Sequence, residues 1–465
     1  MTALPFTFRT NQSKYAFAGE AQLINAYAES QGSDAKDPLA VLPAYGMTLE
    51  RAVTDTPQRG AIYLDDLDCI YTVHATSVYK VNQSGAATRI GTVPGNDIVQ
   101  LSRNQATVPQ ISIHCTAGEF YIENDVVKRV TDEDLPAGTV SQDHLGGYTI
   151  YGNADRRFFI SSLNACQAID GLDFATAEQS PDPLLRVKAD GDLFLFKRRQ
   201  VEQWRVTGNA DFPLEPIGSP IKHGLLAAEA VTPFDNTLAF IGDDSIVYRI
   251  AGTGAVQRVS NHAIERTIAA DDTPAAIMAS SHAVEGHAFA VFSGSGWTRV
   301  FDAATQFWHS RESFNLGRWR ARFPVKAWGK TIVGDELSGN LYFLDKNGFV
   351  EGDQPLVWGV DTPVFHVFPN GGVLDALHID VATGVGLTTG QGSAPKLMLS
   401  WSTDGGATFK GNRELPLGGS GERVRVTTRR LGRFGPQGVV FRLRISDPVI
   451  RALIAMDVKV RPLRK

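Results

Sequence analysis

The residues that could do chemistry are few, and each is read together with the local structure its spacing demands. Ser402, Asp404, Gly406, Thr408 and Phe409 form an S-x-D-x-G-x-T-F stretch. In such a stretch the Asp and Ser side chains accept from backbone N–H groups and Gly supplies positive φ, so it predicts a hairpin turn and not a reactive centre. Gly329-Lys330-Thr331 has the ending of a phosphate-binding loop, but the Gly required five residues upstream is Pro324, and the three residues open a strand rather than a helix. His282 and His287, with Glu285 between them, flank a turn and lack a third ligand at diagnostic spacing. The acidic clusters Asp65–Asp66–Asp68, Asp132–Glu133–Asp134 and Asp243–Asp244 could pair carboxylates for glycoside hydrolysis, yet each lies where a turn needs solvating. No His or acid neighbours a Ser in a nucleophile-elbow pattern. The expectation is a chain with no catalytic residue, no cofactor-binding residue and no metal ligand set.

The elements behind those residues are written as one sentence repeated seven times between Cys69 and Leu344. Each copy is an alternating apolar strand, a tight polar turn and a second strand with an aromatic at Tyr79, Tyr121, Phe159, Trp204, Tyr248, Trp297 or Tyr342. Successive aromatics are 42, 38, 45, 44, 49 and 45 residues apart, the period of one propeller blade of roughly 40–45 residues. A blade cannot bury both of its faces alone, so neighbours must stack around an axis. The prediction is an all-β β-propeller of six or seven blades, seven favoured, over 57–357. Turn-rich linkers such as Val93–Asn96, Ser180–Pro183 and Asp271–Pro274 separate the copies, and Ser260–Ala270 reads as a short helix capped by Ser260 or Asn261.

Residues 1–56 do not follow the repeat and read as an N-terminal arm or platform contribution, able to wrap a partner or add a strand to another domain, or equally as a plain lead-in. From 358 to 465 the texture changes to a C-terminal β-sandwich-like platform, with strands expected at Val373–Val381, Lys396–Ser402, Glu422–Arg429, Val439–Ser446 and Ala452–Arg461. Ser402–Phe409 falls here, outside the blades. It fits the Asp box found in sialidases and related propellers, where it is also a turn without chemistry.

Charge is unevenly placed. The net charge is −5, but Trp401 to Lys465 holds 14 Lys+Arg against 5 Asp+Glu, or +9, leaving 31 against 45, or −14, for the remainder. A basic end on an acidic body suits nucleic acid, membrane headgroups or an acidic protein; the plainer alternative is a solvated strand face of arginines alternating with apolar residues. Three cysteines are too few for a disulfide framework, the opening MTALPFTFRT lacks an apolar core, and no run of about 18 apolar residues exists. The expectation is a chain made and kept in the cytoplasm unless it leaves the cell as part of a particle, with no membrane partner.

The order of parts resembles a family. Asn25-Ala-Tyr-Ala-Glu29 leading to Leu42-Pro-Ala-Tyr-Gly46, then seven hairpins, then SWSTDGGATF, RRLGR (Arg429–Arg433) and FRLRISDPV (Phe441–Val449) is similar to the packaged-DNA stabilisation proteins of P22-like podoviruses, also called tail hub or nozzle proteins. The resemblance implies a structural virion-tail protein without an active site. It implies a homo-hexameric ring below the portal and its head-to-tail adaptor ring that extends or closes the channel and retains packaged double-stranded DNA. It further implies contacts with a tail needle, plug or tip and with tail fibres or spikes. The acidic body would line the channel and the basic end would dock elsewhere. The alternatives are a glycan-binding or glycan-cleaving propeller, with carboxylates or aromatics converging at the propeller mouth, and a cytosolic propeller adaptor, which would be a stable monomer.

Overall fold

The structure is a computed structural model that describes residues 2–3, 9–14, 20–32, 34–209, 211–251 and 254–463. Most of the first nineteen residues, including most of MTALPFTFRT, lie outside the described residues.

Seven four-stranded antiparallel blades follow one another at 58–92, 100–129, 139–176, 184–221, 231–258, 278–310 and 321–345. Each of the seven hairpins is the central strand pair of a blade. The leading strands of these pairs are the most deeply buried: every residue of Cys69–His74 and of Ile111–Cys115 is buried, because neighbouring blades cover both faces. Large rings fill the spaces between blades. Phe158 meets Trp204 edge-on at 4.9 Å, Phe196 meets Phe240 at 5.3 Å, and Phe234 meets Phe301 at 5.9 Å. Asn124–Asp125 and Asp235–Asn236 both take left-handed φ at two-residue hairpin turns, as the twist of the flanking strands requires. Helix His262–Ala269 is capped by Asn261, whose side chain accepts from the N–H groups of Ala263 and Ile264.

The seventh blade takes its outer strand from the other end of the chain. Gly46–Thr54, expected within an arm outside the repeat, runs antiparallel to Gly339–Asp345, with Met47 opposite Leu344 and Arg51 opposite Leu341. A ring of sheets must be closed somewhere, and pairing the first strand with the last blade closes it with backbone hydrogen bonds.

The C-terminal sandwich is also built from both ends. One sheet runs Ala26–Ser30, Leu39–Pro43, Leu453–Pro462, Gly372–Val381 and Val426–Phe434, with Thr2–Ala3 against Leu453–Pro462. The other continues the sixth blade: Trp308–Ser310 pairs with Glu20–Ile24, which pairs with Trp358–Asp361, followed by Val440–Ile445, Lys396–Ser402 and Lys410–Pro416. The strand expected at Glu422–Arg429 runs instead over Val426–Phe434, where a bulge at Arg430 (φ 59°) interrupts the alternation and Leu431 and Phe434 reach the core. The core between the sheets holds Leu23, Val41, Trp358, Leu377, Phe441 and Leu453, all fully buried.

The corner between the two sheets is Asn25, buried and left-handed (φ 49°). Its amide donates to the carbonyls of Glu312 (2.8 Å) and Val357 (2.9 Å), and its side-chain oxygen accepts from Glu312 N–H at 2.9 Å. Its own N–H donates to Ser310 and its carbonyl accepts from Ala44, both at 2.9 Å. One side chain therefore joins the N-terminal segment to the end of blade six and to the entry of the sandwich. Asn25→Ala is expected to lose about 3 kcal/mol, from three unmet buried hydrogen bonds and an unfavourable backbone angle. Asn25→Gly should recover about 1 kcal/mol of that by relieving the backbone alone. Urea unfolding followed by the fluorescence of buried Trp358 measures both; equal losses would sink the backbone part.

Candidate functional site

A propeller's binding or catalytic groups usually gather at the axis, where the inner strands converge. The inner strands of six blades line a cavity of about 280 Å³, with Gly60, Gln100, Arg186, Lys188, Glu229 and Ser280 among its walls. That is room for on the order of ten waters. Glu229 accepts from Arg186 Nη1 at 2.7 Å and from Gln100 Nε2 at 3.0 Å. Lys188 Nζ meets Asp143 Oδ2 at 2.8 Å, and the same oxygen accepts from Ala189 N–H at 3.0 Å. Gln100 in turn accepts from Ser141 Oγ at 2.8 Å. The axial carboxylates are thus held by cations across blades two to five, and the arrangement locks the disc rather than presenting a free acid–base pair. A cavity of this size cannot pass a nucleic-acid duplex.

The sequence candidates fall apart from one another. Ser402–Phe409 is the turn after Lys396–Ser402: Gly406 N–H donates to Ser402 Oγ at 2.8 Å and Thr408 N–H to Asp404 Oδ1 at 2.9 Å. Hydrogen bonds from Ser402 and Thr408 hold the Asp404 carboxyl far below its usual range. Gly329 is left-handed in a hairpin turn, and Lys330 bonds Glu50 at 2.8 Å. His287 Nδ1 lies 2.8 Å from Asp302 and Glu285 accepts from Tyr45 at 2.5 Å, whereas His282 packs against Phe289 and Trp319. The acidic clusters do turn work: Asp68 accepts from Tyr63 (2.6 Å), Asp132 from Ile169 N–H (3.0 Å), and Asp243 from Gly224 N–H (3.0 Å).

What the sequence reading missed is a set of buried charges where propeller and sandwich meet. Glu351 accepts from Arg311 Nη2 (3.2 Å), Ser313 Oγ (2.5 Å) and Trp319 Nε1 (3.0 Å), and the Arg311 guanidinium lies 4.3 Å over the Trp319 ring. Asp361 holds Arg442 at 2.8 Å and Arg444 at 2.6 Å. The F-R-L-R-I alternation puts both arginines on one face of their strand, and that is the signal that calls for a carboxylate on the next strand. Arg451, fully buried, donates to the carbonyls of Leu356 (2.5 Å), Asp447 (2.7 Å) and Phe349 (3.3 Å); burial pulls its pKa down to about 10. Part of the basic C-terminal charge is therefore internal. Arg423, Arg425, Arg429, Arg430 and Arg433 remain exposed along Val426–Phe434 and its lead-in.

Comparison with known proteins matches two family descriptions in chain order. "Bacteriophage P22 Gp10, beta-propeller" covers residues 20–348 and "Bacteriophage P22 Gp10, beta-sandwich" covers residues 357–461. No curated protein matches. Among solved structures, the WD40 β-propeller domain of Doa1 is 12% identical, with 64% of this chain and 96% of that chain covered and a TM-score of 0.41. BBS1N in complex with ARL6DN is 10% identical (69% and 96% covered, TM-score 0.40), and the designed Ika8 protein 8% identical (64% and 100% covered, TM-score 0.41). These structural likenesses are too distant to bear on what the chain does.

Two histidines beside the junction give it a pH dependence. Burial, then the Arg311 charge, pushes His282 down to about 3, and burial with the same arginine pushes His309 well below its ordinary value. Both stay neutral in the folded chain while the unfolded chain protonates below about 6.5. The stability they contribute is present above that pH and is lost as pH falls towards the folded values. Replacing either with Asn should flatten the fall of unfolding free energy between pH 6 and 4 by about 1.4 kcal/mol per pH unit. An unchanged slope in both variants would show that other groups set the acid limit.

Proposed function

The chain belongs to the bacteriophage P22 Gp10 family, whose propeller and sandwich it carries in order, and on that premise we propose that it is a ring-forming hub or nozzle of a short phage tail. Copies of the chain stand side by side below the portal and the adaptor ring, extend or close the channel, and retain the packaged DNA after filling. The further tail parts, a needle or plug and the fibres or spikes, attach to this ring. The protein is made in the host cytoplasm and works in the virion tail, holding and guiding rather than catalysing.

The observation that carries this reading is the family match across both modules, and the closed axis gives it a physical form. Since the axial cavity of about 280 Å³ is too small for a duplex, DNA has no path through a single copy, so a channel has to be the space enclosed by several. The continuous sheet from blade six into the sandwich makes each copy one rigid wedge, a suitable unit for repeating a single interface until it closes. The absence of sequence recognition follows from the same arrangement: a lumen lined by an acidic body repels the phosphate backbone and lets DNA slide.

Light scattering and electron microscopy of the purified chain, alone and with portal and adaptor rings, test the proposal. Six-fold rings, or monomers that assemble only on the adaptor, are expected. A monomer that ignores those rings and binds a glycan panel would overturn it in favour of a glycan-recognising propeller.

A further inference from the structure

The five exposed arginines stand on and beside the last strand of a sandwich sheet. Val426–Phe434 is the last strand of its sheet, four strands away from Ala26–Ser30 at the junction. The far edge of the other sheet, Lys410–Pro416, meets it there: Arg413 donates to the carbonyls of Arg429 (2.6 Å) and Arg430 (3.1 Å). The bulge at Arg430 and this capping discourage addition of another strand, so what the edge offers a partner is its guanidinium groups. Ion pairs within the sandwich use Lys36, Lys396, Arg442, Arg444 and Arg461 and leave Arg423, Arg425, Arg429, Arg430 and Arg433 without a carboxylate among the described residues.

The rim of the propeller across from the sandwich's attachment carries the complementary charge. The sandwich is attached at blades six and seven, and blade three lies three blades away from each, diametrically across the disc. Its outer strand, Ala165–Thr176, is the longest of the blade strands at 12 residues and bears Asp170 and Asp173, with Leu172 between them 84% exposed. The Asp132–Glu133–Asp134 loop lies beside it: Asp132 accepts from Ile169 N–H, and a side chain at Gly171 would meet Asp134 Oδ1 at 3.0 Å. Burial and the neighbouring Asp170 raise the Asp173 carboxyl, as expected of acids crowded together without a cation.

We propose that the arginine edge of the sandwich docks on the acidic outer strand of blade three of the next copy, with Leu172 entering the contact, so that one repeated head-to-tail interface builds the ring. The planar guanidinium fork matches carboxylates in pairs, and two different, complementary faces on one chain form a heterologous interface, which closes into a ring when the rotation permits. This inference rests on the ring reading above and adds the surfaces that make it. It also assigns the exposed basic charge to protein rather than to DNA.

Charge reversal tests it in the full chain, with assembly read by light scattering and microscopy in the presence of portal and adaptor rings. Arg429→Glu with Arg433→Glu, and separately Asp170→Arg with Asp173→Arg, should each raise the concentration needed for half-assembly by at least about tenfold. The chain carrying all four substitutions should assemble again, which also shows that the reversed faces are folded. Unchanged assembly in either pair, or no recovery in the fourfold variant, overturns this contact while leaving the ring standing. Unimpaired assembly with a selective loss of DNA binding in the arginine variant would overturn it in favour of a nucleic-acid face. A wild-type chain that never forms rings overturns the ring reading and this contact with it.

Discussion

The whole molecule is organised around one turn that a buried asparagine holds. Asn25 sits where the N-terminal segment passes from one sandwich sheet to the other, and its amide ties that corner to Glu312 at the end of blade six and to Val357 at the entry of the sandwich. Three segments far apart in sequence meet on a single planar group whose hydrogen bonds are all made inside protein. An amide suits this position because it donates twice and accepts once, and because Asn tolerates the left-handed backbone the corner imposes. Without it, the strand shared by blade six and the sandwich would lose the side chain that ties its corner to both modules.

Two modules fixed in this way cease to be independent. A ten-stranded sheet passes from the propeller into the sandwich, Arg451 binds three carbonyls at the join, and Glu351 is buried among Arg311, Ser313 and Trp319. Charges removed from water are poor contributors to net stability, but a misdocked junction would strand them unpaired at a cost of several kcal/mol. They specify the relative orientation of the modules more than they strengthen it. In the ring proposed above, orientation is the useful quantity, because a ring magnifies any angular error in its subunit.

The blades were legible in the sequence because strand alternation, turn residues and a steady period are local signals, and every copy repeats them. The short helix was legible from its local cap signal, which offered Ser260 or Asn261, and Asn261 is the residue that caps it. The closing strand Gly46–Thr54 was not, since its partner lies almost three hundred residues away and a single half-exposed strand has no period of its own. Glu20–Ile24 and Trp358–Asp361 were missed because they are short and owe their pairing to the corner at Asn25. The sandwich strand at Val426 was placed too early, since a bulge shifts the alternation without altering composition. The surplus of C-terminal arginines was visible, but its division into Arg442, Arg444 and Arg451 inside and Arg423 to Arg433 outside depends on which residues the neighbouring strands present.

Closing the last blade with the first strand also has a consequence in time. Arg51 faces Leu341, 290 residues further along the chain, and a ribosome adding roughly 5–20 residues per second needs about 15–60 s to supply that partner. During the interval blades one to six can stack in order as they emerge, while the N-terminal segment waits with its edges unmet. The propeller is therefore completed late, and the sandwich, which needs the same segment, later still. The corner at Asn25 can dock once Val357 has emerged, whereas the sandwich sheet around Leu453–Pro462 has to wait for the last strands.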